Sequence, residues 1–269
     1  MLIVFQVKVK GQTDKAFQIK SLQTSESFIS QSKNADVNVL GMWHNECLDF
    51  TLNKLISNGI GATDSRYSIL STQITQEFMK KKGIETSLYF SGDFKQWYLE
   101  QPETICDKRS DISSDCAKLI CEIQMNIDNF RDEKISLIEL ASQRNSIISN
   151  GKSLKNKDEV FLVGLTASIT KNSYEYWNEN YESMYSRISA LNKVEQSGKG
   201  PSLNEIYEQP LKIRWWAVGL SDAWGAFNWG RGGLAIGGPQ GAVAAGLVGA
   251  CYQSATSIYT QTVIQTIMN

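Results

Sequence analysis

The feature that most constrains this chain is a glycine-rich carboxyl terminus that carries almost no charge. From Gly232 to Asn269 there is no Asp, Glu, Lys or Arg, and the stretch reads GGLAIGGPQGAVAAGLVGACYQSATSIYTQTVIQTIMN. Glycine weakens a helix by roughly 1 kcal/mol relative to alanine. A helix so rich in it needs a compensating contact, and close approach of two backbones is the usual one. Gly241, Ala245 and Gly249 recur every fourth residue and so share one helix face. Ala242, Gly246 and Ala250 make a second small-residue row beside the first. This is the small-xxx-small pattern that lets helices pack at short range.

Gly237-Gly238-Pro239 is a break signal. The expectation is therefore two helices, around 211–230 and 241–266, folded into a hairpin. Four tryptophans (Trp215, Trp216, Trp224 and Trp229) open the segment. Trp216, Leu220 and Trp224 share a face, and the rings of Trp216 and Trp224 are expected to seat on the small face of the second helix. A competing expectation is that the hairpin inserts into a membrane. Gly232–Tyr252 has only Gln240 as a strongly polar side chain and meets the length of about 20 residues for a span. It is built from Gly and Ala rather than Leu, Ile and Phe, however, and Pro239 interrupts it. Its continuation is rich in Ser, Thr and Gln, so its hydropathy is poor for a transmembrane helix.

The rest of the chain reads as helical. No alternating strand of convincing length follows residue 10, and a hydrophobic fraction of 42% supports a sizeable core. The fold class expected is all-α, an irregular bundle of about seven or eight helices. Residues 1–12 read as a possible remnant of a signal peptide, 13–197 as a helical body and 203–269 as the hairpin packed on it, with Ser197–Ser202 as the linker. Thr13–Gln31 is weakly amphipathic. Asn38–Asn58 is a helix, with Trp43, Cys47 and Phe50 on a face widened by Leu48, Leu52 and Leu55. Asp64 is placed to cap a helix running to Lys82, with Ile69, Gln73, Ile74 and Phe78 inward. The aromatic stretch 84–110 reads as a long connection or a short helix around 93–100.

Asp111–Phe130 carries Cys116, Ile120, Ile123, Ile127 and Phe130 at 4-3-4-3 spacing, and a helix over Arg131–Asn150 is expected to use Ile135, Ile138, Ala141 and Ile148. Asp158 reads as a cap for the next helix, with Phe161, Leu165 and Ile169 on one face. Trp177, Tyr181, Met184, Ile188 and Leu191 repeat the heptad-like spacing.

Chemistry is sparse. With 27 basic and 28 acidic residues there is no basic excess, and no nucleic-acid partner is expected. One histidine and five cysteines without a CxxC pair argue against a metal site, and no cofactor motif is present. The cysteines read as small buried hydrophobes, and their odd number leaves at least one without an intrachain partner. His44 is the sole histidine, so acid-base catalysis near neutral pH would lean on it, with Glu46 and Asp49 as the weak companion candidates. On a helix His44 and Glu46 point roughly 200° apart. The blander role for His44 is to tie down a neighbouring loop from a helix start.

Ser30-x-x-Lys33 has the spacing of a serine-lysine nucleophile but lacks its companion elements. Gly151-Lys152-Ser153 lacks the upstream glycine of a phosphate loop, since Ser146 stands there. Asp107, Asp111 and Asp115 fall at helical spacing and read as helix N-terminal charge.

The segment Trp43-His44-Asn45-Glu46-x-Leu48-Asp49-Phe50 resembles a His-Asn-Glu-x-Leu-Asp-aromatic helix near the start of a group of uncharacterised exported bacterial proteins, which often end in a Gly/Ala-rich segment like Ala223–Ala250. The tail is also similar to the glycine-zipper segments of unmodified two-peptide bacteriocins. The resemblance covers about eight residues plus the tail. It implies export and a helical fold, and it implies no activity. The leading expectation is a non-enzymatic exported bacterial helical protein with a structural or interaction role, whose hairpin packs on the body or on an unknown protein partner. The alternatives are a membrane-active protein, with a membrane surface as partner, and an enzyme centred on His44.

Overall fold

The computed structural model describes residues 37–61, 64–84, 86, 106, 112–197 and 213–268. The expectations for Thr13–Gln31, for 93–100, for Ser30 and Lys33, for Asp107 and Asp111 and for residues 198–202 of the linker lie outside the described residues, while Ser197 ends a helix. The elements are α1 (Val37–Ser57), α2 (Tyr67–Lys81), α3 (Ser114–Arg131), α4 (Leu137–Gly151), α5 (Lys157–Ser197) and α6 (Trp215–Met268). The last is two helical arms, because Gly237 and Gly238 leave helical geometry inside it. The protein is all-α, with no strand among the described residues.

The break in α6 has a clear cause. Gly238 takes φ 61° and ψ −153°, a conformation open essentially to glycine alone, and Pro239 then starts the second arm. The arms run back along each other. Gly233 opposes Gly241 next to the turn, and about two turns further out Gly225 opposes Gly249. A Cβ placed on Gly233, Gly241, Gly225 or Gly249 would come closer than 3.0 Å to the backbone of its opposite number.

The tryptophans are arranged otherwise than expected. Trp229 lies against Gly249 and packs near Tyr252, with ring centroids 5.7 Å apart. Trp216, Leu220 and Trp224 turn away from the small face and pack on a cluster built from α3, α4 and α5. The physical reason is room: where glycine faces glycine, the backbones are too close to admit two more indoles. Trp215 joins Phe130 and Tyr174 in an aromatic group at that end.

The hairpin is the middle of the molecule. One core cluster joins Leu40 and Cys47 of α1, Phe78 and Met79 of α2 and Leu165 and Ile169 of α5 to Ala226, Trp229 and the run Val243–Cys251 of α6. Every residue from Gly241 to Cys251 is buried. Among the described residues no helix is long and apolar enough to cross a membrane.

Several local expectations are corrected. A single helix from Arg131 to Asn150 does not form. The chain breaks at Asp132–Ser136, where Glu133 adopts φ 58° and Lys134 N–H donates to Asn129 O at 2.8 Å. Ser136 and Glu139 then form a reciprocal capping box that restarts the chain as α4. The restart rotates the buried face to Leu140, Arg144, Ile147 and Gly151 and leaves Ile138 82% exposed. In α2 the inner face is Tyr67, Ser71, Ile74, Thr75, Phe78 and Met79, and Ile69 points to solvent. Asp64 does not cap that helix by its side chain; it accepts from Arg66 N–H at 2.7 Å in the preceding turn. Asn156, not Asp158, receives the first-turn N–H of α5, at 2.9 Å.

Candidate functional site

Helices α1 and α5 lie side by side and parallel, linked by one polar contact per turn. Gly41 N–H donates to Ser168 Oγ at 3.3 Å, Asn45 Nδ2 donates to Asn172 O at 3.0 Å and Tyr176 OH donates to Asp49 Oδ1 at 2.7 Å. Each step advances four residues on both helices, so the ladder fixes their register. Gly41 makes the close approach possible: a Cβ there would meet the Asn172 side chain and the Ser168 carbonyl closer than 3.0 Å.

The ladder orients the next face of α1 toward the hairpin, and His44 sits at its centre. His44 is fully buried in mid-helix, not at a helix start as expected, because α1 already begins at Val37. Its Nε2 lies 3.6 Å from Oδ2 of Asp222, which is also wholly buried. Asp222 comes from the first arm of α6. It accepts from Ser173 Oγ of α5 through Oδ2 and from Ser254 Oγ of the second arm through Oδ1. The Trp177 indole Nε1, which makes no well-formed hydrogen bond, also favours the ionised form of Asp222. Four helical segments thus meet at one carboxylate.

The protonation logic follows from the neighbours. Asn45 gives its amide hydrogens to Asn172, so its Oδ1 is the atom facing His44 Nδ1, at 3.2 Å. That atom can only accept, so Nδ1 carries the hydrogen and Nε2 of neutral His44 presents a lone pair to Asp222. At 3.6 Å the two atoms lie just beyond hydrogen-bond distance, and Nε2 has no hydrogen-bond partner. Burial lowers His44 to about 4, opposed by its hydrogen bond to Asn45. Burial raises Asp222 to about 7, opposed by Ser173, Ser254 and Trp177. The separation would suit an ion pair, but desolvation of both groups outweighs it, so that below about pH 7 Asp222 holds the proton and His44 is neutral.

Two free thiols border this node. Cys47 of α1 and Cys251 of the second arm are buried and in mutual contact. Burial pushes the Cys251 thiol up, and the neighbouring Cys47 pushes it further. Cys106 and Cys121 instead form a disulfide, with Cα atoms 4.4 Å apart, so the reading of all five cysteines as small hydrophobes holds for three of them. No group of three His, Cys, Asp or Glu side chains among the described residues is placed to hold a metal.

Of the catalytic candidates, only His44 joins the node. Glu46 lies at the surface, paired with Lys82 at 2.5 Å, and Asp49 is engaged by Tyr176. Helical geometry separates these carboxylates from the imidazole. The small residues Gly241, Ala245 and Gly249 lie at the arm-to-arm contact: Gly241 and Ala245 against Gly233, Gly249 against Gly225 and Trp229. Sequence reasoning missed Asp222, Ser173 and Ser254. A signal for the first was available, since Asp222 is the only acidic residue between Trp215 and Asn269. An unaccompanied carboxylate in so apolar a stretch has to find partners elsewhere in the fold.

Fold and site define an all-α protein built around a buried helical hairpin, with a solvent-inaccessible His–Asp–Ser–Ser node at the meeting of its helices, in which His44 Nε2 makes no hydrogen bond. Comparison with protein-family models, with curated proteins and with solved structures finds no match to this chain.

Proposed function

We propose that the chain is a non-enzymatic, exported bacterial helical protein with a structural or interaction role, in which the hairpin is the keystone of the fold and not an inserting element. The observation that carries this reading is the burial of every residue from Gly241 to Cys251 against the protein's own helices. A segment held for insertion would have to give up that core first, and the exchange is costly at about 25 cal/mol per Å² of apolar surface. The Cys106–Cys121 disulfide supports export, because such bonds persist in oxidising compartments. The resemblance of the Trp43–Phe50 segment supports a bacterial source. For contact with a partner protein, α1 to α4 each expose one large apolar side chain: Met42, Ile69, Met125 and Ile138.

Vesicle flotation of the full-length chain tests the reading. The protein is expected to remain in the dense fraction with neutral and with anionic phospholipid vesicles, at pH 7 and at pH 5. Flotation with either vesicle type would remove the keystone reading in favour of membrane activity.

A second reading, catalysis at His44, is favoured by its apposition to Asp222, which also accepts from Ser173. It requires the core to open, since both His44 and Asp222 are wholly inaccessible. Labelling of Ser173 or Ser254 in the native protein by a serine-directed fluorophosphonate would support it. The structural reading expects neither to be labelled.

A further inference from the structure

The contact between α1 and the second arm of α6 holds two sulfur atoms that the His44–Asp222 node does not use. Cys47 and Cys251 are buried in the same central cluster, and both are thiols in the structure. Their sulfurs are brought together from two sides. Cys251 Sγ lies 3.9 Å from the carbonyl oxygen of His44, which stands one turn before Cys47 on the same face of α1. A helical side chain leans back over the turn that precedes it, and this carries the Cys47 side chain toward the level of that carbonyl. The two thiols are accordingly in side-chain contact.

What two apposed thiols can do, and one cannot, is close into a disulfide. We propose that Cys47 and Cys251 are a redox-sensitive pair, which closes into a bond between α1 and the second arm when the protein meets a small disulfide such as oxidised glutathione. The thiolate of one cysteine attacks the oxidant, RSSR, forms a mixed disulfide and expels one RS⁻. The other cysteine, as thiolate, attacks the protein sulfur of that mixed disulfide and expels the second RS⁻. The two leaving groups take up the two protons that the cysteines lose. Two protein thiols are thus oxidised by two electrons, and one RSSR is reduced to two RSH.

Burial among apolar side chains holds Cys251 in its thiol form, so exchange in the closed fold is slow. It proceeds through local opening, or during folding before the core has shut. Once made, the bond ties the hairpin to α1 across a sequence separation of 204, and the second arm stays in the core for as long as it holds. Cys116 sits on α3 in a different cluster and takes no part. The oxidant closes the pair wherever the chain resides.

The test refolds the reduced full-length chain in glutathione buffers of graded oxidised-to-reduced ratio. Remaining thiols are trapped with iodoacetamide, and the protein is digested with trypsin without reduction. Cleavage after Lys33, Lys54 and Arg231 isolates Cys47 in residues 34–54 and Cys251 in residues 232–269. These two peptides are expected to be linked, with an equilibrium constant at least about 100-fold larger than for the same link in urea, where only the closure of a long loop brings the sulfurs together. Both cysteines alkylated at every ratio, both capped by glutathione, or a link formed equally well in urea would overturn the pair. Melting supplies a second measurement. Oxidation is expected to raise the melting temperature of the parent protein by about 5 °C more than that of Cys47→Ala, which keeps the Cys106–Cys121 bond and loses the pair. An equal rise in both proteins would overturn the proposal, and if Cys47→Ala does not fold, the peptide map of the parent protein decides alone.

Discussion

The burial of His44 beside Asp222 has a consequence that can be measured as the pH dependence of stability. The folded-state value for Asp222 is raised from 3.8 to about 7, so its contribution is fully present below pH 3.8 and is lost as pH rises through 7. For His44 the value is depressed from 6.5 to about 4, so its contribution is present above pH 6.5 and is lost as pH falls through 4. In the window from about 4 to about 6.5 the two slopes are opposite, each about 1.4 kcal/mol per pH unit. They cancel, because folding there only moves a proton from imidazole to carboxyl. Single substitutions should uncover the two halves.

Relative to the parent protein, His44→Gln should lose about 3 kcal/mol between pH 4.5 and 6.5, and Asp222→Asn should gain about as much over the same range. Subtracting the parent curve removes the surface carboxylates, such as Glu77, Asp132 and Glu139, whose lowered values act equally in all three proteins. Urea denaturation read by tryptophan fluorescence supplies the curves, since Trp177 and Trp229 are buried in the same core. Variant curves that run parallel to the parent, or that both tilt the same way, would refute the reasoning. Placing the proton on Asp222 is checked separately. The infrared difference spectrum between the parent and Asp222→Asn at pH 6 should show the carbonyl stretch of a protonated acid, and a carboxylate band alone would move the proton to His44.

Three further outcomes follow from the same geometry. Gly249→Ala forces a Cβ into Trp229 and the Gly225 carbonyl, closer than 3.0 Å to both, and should cost about 2 kcal/mol or more in urea denaturation. Gly238→Ala meets nothing within 4 Å but must hold φ 61° and ψ −153°, a region essentially closed to alanine, and should cost about 1–3 kcal/mol through backbone strain alone; an unchanged urea midpoint would contradict the account of the break. Cys106→Ser, or reduction of the native protein, opens the bond between residues separated by 15 positions and should lower stability by about 3 kcal/mol on the chain-entropy account; an unchanged melting temperature with and without reductant would show that the bond is absent. Tyr176→Phe removes the donor to Asp49 and should cost about 1 kcal/mol, read as a lowered urea midpoint with an unchanged m-value.

What could be read from the sequence was whatever depended on spacing along one helix. Cys116, Ile120, Ile123 and Ile127 line the core as their intervals require, and so do Leu48, Leu52 and Leu55. The break at Gly237-Gly238 was legible because glycine and proline act on the backbone directly. The failures share a cause of a different kind. Ile138 and Ile69 are apolar enough for a core, but the capping box at Ser136 and the turn before Tyr67 set the phase of their helices, and the phase sent them to solvent. Trp216 and Trp224 missed the small face because glycines on both arms, not on one, closed the gap.

The candidate site was illegible for the deeper reason that it belongs to no single segment. Its members come from α1, α5 and both arms of α6, and no local pattern links His44 to Asp222 across a sequence separation of 178. Yet each member was conspicuous alone: the only histidine of the chain, and the only acid of its apolar terminus. Neither could be buried singly without leaving an unpaired polar group at a cost of several kcal/mol. Their pairing, with Ser173 and Ser254 supplying the remaining donors, is the arrangement that lets four helical segments meet without a stranded charge. Arg144 is the counter-example within the same fold: equally buried, with Nη2 on the Ile123 carbonyl and no carboxylate paired with it among the described residues.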